Sequence, residues 1–97
     1  MSSFYSRRAA KVDGNQKAIV AELRSAGFSV EPLNGKFDLA IGFGGLTLLC
    51  EIKNPKGRDR LQPAQEKLYE EWKGSYLIAR SAEEIIEWFA KNMRRGQ

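Results

Sequence analysis

Asp38, Glu51 and Lys53 are the residues of this chain whose types and spacing could do chemistry. They flank the run "FDLAIGFGGLTLLCEIK", one of the most apolar stretches in 97 residues. Gly44-Gly45 at its middle is a two-residue hairpin signal. A turn centred there sets Phe43 opposite Leu46, Ile41 opposite Leu48 and Leu39 opposite Cys50, which makes one side of the ribbon apolar. The other side sets Gly42 opposite Thr47, Ala40 opposite Leu49 and Asp38 opposite Glu51. Lys53 follows Glu51 on that same side, because strand side chains alternate. Opposed residues have Cβ atoms roughly 4.5–5.5 Å apart. Two carboxylate charges about 5 Å apart repel by about 3 kcal/mol at an effective dielectric of about 20. Three things could relieve that: a proton shared by the pair, neutralisation by Lys53, or a divalent cation. Carboxylate oxygens with waters are what Mg²⁺ selects.

The elements that must hold these residues are legible around them. Asp13 reads as a helix N-cap with Gln16 as its capping-box partner. Ile19, Val20 and Leu23 follow at helical spacing and Gly27 stops the helix, giving helix one over about residues 14–26. "FSVEP", Phe28 to Pro32, reads as a strand, and the hairpin adds two more. Pro63 suits a first helical position, so helix two spans Pro63 to about Lys73 and ends at Gly74. "SYLIA" is a fourth strand. "SAEE" is a capping box that opens helix three, whose apolar residues are Ile85, Ile86, Trp88 and Phe89. The order α-β-β-β-α-β-α predicts an α/β fold, a small mixed β-sheet flanked by helices. Trp72, Tyr69, Trp88 and Phe89 read as core or dimer contacts.

Composition narrows the chemistry. There is no histidine, which excludes a Ser-His-Asp triad, a Cys-His pair and a histidine zinc site. The single cysteine excludes an internal disulfide and fits a reducing cytosol. No apolar run is long enough to span a membrane, and "MSSFYSRRAAKVDG" has no apolar signal core, so a cytoplasmic chain is expected. Formal net charge is +4. Arg7, Arg8 and Lys11 cluster at the start, and Lys56, Arg58 and Arg60 follow Lys53. Such clusters suit the phosphates of a polyanion. A domain this short has a thin core, which dimerisation would thicken.

With these residues in view, the chain resembles the PD-(D/E)XK nuclease superfamily, and within it the small stand-alone phage and bacterial members of the VRR-NUC branch. The matching pieces are "DGNQKAIVAELRSAGFSV", "FDLAIGFGGLTLLCEIK", "LQPAQEKLYEEWKG" and "YLIARSAEEIIEWF". They cover about residues 7–90, and the "LxPxQ" segment from Leu61 to Gln65 carries the branch assignment. The resemblance implies a restriction-endonuclease-like core over residues 13–92, a basic arm over 1–12 and a basic tail over 93–97. It implies that Asp38, Glu51 and the Ile52 carbonyl bind Mg²⁺ or Mn²⁺, that Lys53 orients or polarises the attacking water, and that Gln65 faces the same site. Relatives place an acidic residue where this chain has Gln16, and a proline where it has Phe37. The implied activity is cleavage of DNA phosphodiesters by a homodimer, with branched DNA such as four-way junctions as substrate. Arg7, Arg8, Lys11, Lys56, Arg58 and Arg60 are the expected DNA contacts. The alternative is a binding module on the same fold without catalysis.

Overall fold

The helix read from Asp13 onward is present as α1, Gly14–Ser25, in a computed structural model that describes residues 14–54 and 63–95. Its end follows from Gly27, whose φ of 96° suits a residue without Cβ. Gly27 N–H donates to the Arg24 carbonyl and Phe28 N–H to the Leu23 carbonyl, so two helix-end acceptors are satisfied. Phe28 and Leu23 are both buried in the core, which turns the chain directly into the sheet.

Four strands follow: β1, Ser29–Pro32; β2, Leu39–Phe43; β3, Leu46–Ile52; and β4, Tyr76–Ala79. They form one sheet in the order β1-β2-β3-β4. β1, β2 and β3 are antiparallel neighbours, and β4 lies parallel to β3. The hairpin register is the one read from the sequence, from Phe43↔Leu46 to Leu39↔Cys50. Gly44 and Gly45 both have positive φ, 59° and 83°, as a two-residue turn matching the strand twist requires. A parallel β4 needs a crossover, and α2, Pro63–Glu71, supplies it. α3, Ala82–Arg95, closes the chain. Ser81 Oγ accepts from Glu84 N–H at 3.2 Å. The Glu84 carboxylate accepts from Arg80 N–H at 2.8 Å, one residue before the cap it was expected to reach.

The two faces of the sheet differ. Leu39, Ile41, Leu48 and Cys50 point to one face and are fully buried against Ile19 and Leu23 of α1 and Ile85 and Phe89 of α3. Truncating Phe89 to alanine would cost about 3–5 kcal/mol. Glu51 lies between Cys50 and Ile52 and therefore points to the opposite face. Its neighbours there come from α2: the Tyr69 ring stacks on Tyr76 with centroids 4.7 Å apart, and Phe37 packs against both Tyr69 and Trp72 at 5.6 Å. These aromatic rings form a satellite cluster apart from the main core.

Two boundaries differ from the sequence reading. α2 ends at Glu71 rather than about Lys73, and Trp72 leaves the helix to pack on Phe37. α3 runs to Arg95, so residues 93–95 are helical and not tail. The reason is Met93, which packs onto the core beneath the hairpin turn at Gly44. No helix among the described residues is long and apolar enough to cross a membrane.

Candidate functional site

The ladder between β2 and β3 stops at Leu39↔Cys50, one pair short of Asp38 and Glu51. The backbone of Asp38 explains why. Its N–H donates to the Cys50 carbonyl at 2.9 Å, toward β3, while its carbonyl accepts from Leu33 N–H at 2.8 Å, on the β1 side. In a regular strand both groups serve the same neighbour. The twist leaves Ile52 N–H without a β2 carbonyl, and Asp38 Oδ2 accepts it instead at 2.8 Å. The carboxylate is thus fixed by the same end of β3 that carries Glu51, with Lys53 just beyond it.

Glu51 is the one charged side chain buried among the described residues, with 8% of its surface exposed. Gln65, in the first turns of α2, donates its Nε2 to Glu51 Oε2 at 2.9 Å. Lys53 Nζ lies 3.7 Å from the same oxygen. That distance is an ion pair rather than a charge-assisted hydrogen bond, which would be about 2.7–2.9 Å. The ammonium is therefore attracted without being locked. Burial pushes the Glu51 carboxyl above its ordinary value, and the Asp38 charge adds to this. The Gln65 hydrogen bond and the Lys53 charge oppose it, while a side-chain contact with Asp38 raises it further. Asp38 thus acts on the Glu51 carboxyl as a neighbouring negative charge.

Glu51, Lys53 and Gln65 thus meet at the end of β3 that also holds the Asp38 carboxylate. Ile52 has its side chain in the core, 4% exposed, and its N–H on Asp38. Gln16 is half-buried in α1, but the described contact from α1 to this region comes from its neighbour. Asn15 Nδ2 donates to the Lys53 carbonyl at 3.1 Å. Arg7, Arg8, Lys11, Lys56, Arg58 and Arg60, and the Asp13 cap, lie outside the described residues. Cys50 is fully buried, and burial, followed by the charges of Asp38 and Glu51, pushes its thiol up to about 12.

Two site neighbours were not read from the sequence. Asn15 is one; no periodicity marks an asparagine bonded to a residue 38 positions away. The other is Tyr69, one helical turn beyond Gln65 and on its face of α2. The Tyr69 hydroxyl is raised above its ordinary range, by burial first and then by the charges of Glu51 and Asp38. Among the described residues, Tyr69 Oη and Asn15 Oδ1 are the buried side-chain polar atoms without a hydrogen-bond partner.

The donor set is made of hard oxygens. Asp38 Oδ2 is held by Ile52 N–H, and Glu51 Oε2 by Gln65 and Lys53. Among the described residues, no group of three or more histidine, cysteine, aspartate or glutamate side chains gathers here or elsewhere. Two carboxylates with a backbone carbonyl suit Mg²⁺, which keeps several of its waters and needs no all-protein cage. Compared with protein-family models, with curated proteins and with solved structures, the chain has no match.

Proposed function

We propose that this chain is a Mg²⁺- or Mn²⁺-dependent endonuclease of the PD-(D/E)XK type, VRR-NUC branch, acting on DNA phosphodiesters. One observation carries the reading: the buried Glu51 carboxylate has the Lys53 ammonium 3.7 Å away, on the strand end where Ile52 N–H holds the Asp38 carboxylate. A fold selected for stability alone would discard such a pair, since burying a charge is unfavourable unless it is fully paired. A cation between the acids offsets their repulsion.

Asp38, Glu51 and the Ile52 carbonyl would hold the cation, which supplies an activated water and a clamp on the scissile phosphate. The chain's own residues do the rest. Ile52 N–H and Gln65 fix the orientation of the two carboxylates, so little reorganisation is needed when the phosphate arrives. Lys53, attracted but not locked by Glu51, places its ammonium where negative charge develops on the phosphoryl oxygens. The net charge of +4 favours association with a polyanion. A homodimer would set two such sites on two strands, which suits branched substrates such as four-way junctions.

The test is nicking of supercoiled and four-way junction DNA with and without Mg²⁺. Cleavage that needs Mg²⁺ and disappears in Asp38→Asn supports the reading. DNA binding without cleavage in any divalent metal would favour a non-catalytic binding module.

A further inference from the structure

Lys53 stands just beyond the end of β3, where the sheet no longer holds the chain on both sides. Its two backbone groups are nevertheless tied. The Lys53 N–H donates to the Ala79 carbonyl at 2.9 Å. The Lys53 carbonyl accepts from Asn15 Nδ2 at 3.1 Å, a bond reaching from the first turn of α1. The first tie continues the parallel ladder with β4. The second belongs to no secondary structure.

Stability alone does not explain Asn15. Its Oδ1 is buried and has no hydrogen-bond partner among the described residues. An unpaired buried acceptor costs at least as much as one neutral hydrogen bond gains. Such unfavourable local choices cluster where function over-determines them. What the amide does achieve is to fix the backbone from which the Lys53 side chain departs. That matters because the ion pair that orients the ammonium beside Glu51 is long.

We infer that Asn15 is a positioning residue for Lys53: its side-chain amide pins the Lys53 carbonyl so that the ammonium stays beside Glu51. The inference deepens the nuclease reading and rests on it for the role of Lys53, while the pin itself is testable without any activity. Gln16, one position on, takes no part in this tie.

The experiment pairs amide hydrogen exchange with cleavage kinetics on the full chain, in wild type, Asn15→Ala and the isosteric Asn15→Asp. Both variants remove the donor, and either one that folds suffices. The expected result is at least a tenfold loss of exchange protection at Lys53, with protection in β2 unchanged. It is accompanied by about a tenfold or larger fall in kcat at nearly constant KM, because misplacing a reacting group acts on the chemical step. Serine at position 15, a shorter donor, is expected to restore part of both. Unchanged protection at Lys53 overturns the inference, whether or not the protein cuts DNA. Lost protection with kcat unchanged overturns it too. Wild type that cuts no DNA refutes the nuclease reading instead, and is recognised as such without reference to Asn15.

Discussion

Glu51→Gln should make the folded protein more stable at neutral pH. Glu51 is 8% exposed and carries a charge that its surroundings disfavour. At an effective dielectric of about 20, the Lys53 ammonium at 3.7 Å attracts it by about 4 kcal/mol. The Asp38 charge opposes that attraction. Burial is the largest influence and the Asp38 charge the next, and together they outweigh Gln65 and Lys53 and push the Glu51 carboxyl up. A folded-state pKa above the unfolded one means that the folded state binds the proton more tightly. Stability then falls as pH rises from the ordinary value of 4.5 through the raised one, and the full penalty persists above it. Glutamine carries no such penalty and its amide oxygen can still accept the Gln65 bond. The expected gain is fully present at pH 7–8 and fades toward zero below pH 4.5. Urea unfolding of both proteins across pH 4–8, without divalent metal, measures it. Adding Mg²⁺ should stabilise wild type more than the variant. A variant less stable than wild type at pH 7, or a stability difference that does not change with pH, would refute the reasoning.

Other consequences are as direct. Asp38→Ala should lose about 1–3 kcal/mol in denaturant unfolding, because Ile52 N–H loses its acceptor, whereas Asp38→Asn should retain most of that. Equal stability of the two would remove the structural role given to Oδ2. Tyr69→Phe removes a buried hydroxyl without a partner and keeps the stacked ring on Tyr76, so its melting temperature should hold or rise; a marked fall would reveal a partner for that hydroxyl. The Cys50 thiol, with its pKa pushed up to about 12 and no exposed surface, should resist an aromatic disulfide reagent at pH 8 until the protein unfolds. Rapid labelling of the native protein would contradict its placement in the core.

Local chemistry made much of this legible from residue types alone. Gly44-Gly45 fixed the hairpin register because two positive φ values leave few turns open, and the apolar alternation agreed with it. Gly27 and the Ser81–Glu84 pair marked helix ends by satisfying orphan backbone groups. The meeting of Asp38, Glu51 and Lys53 followed from that register. Gln65 needed the resemblance, since nothing local aims a helix at a strand. What stayed hidden depends on tertiary contact. Asp38 was read as a simple strand partner of Glu51, but its backbone serves two different strands and its carboxylate completes the ladder. α3 continues to Arg95, where Met93 meets the hairpin turn, a contact no helical period encodes. Asn15 was passed over for Gln16 because a capping-box reading accounts for position 16 and leaves position 15 without a signal.

The most direct test of the central claim is metal-dependent cleavage of a panel of single strands, duplex, flaps and four-way junctions by the purified chain, alongside Asp38→Asn and Lys53→Met. The account predicts cleavage by wild type only with Mg²⁺ or Mn²⁺, strongest on branched DNA and abolished in both variants. Cleavage by either variant at the wild-type rate, or none by wild type on any substrate, would contradict it.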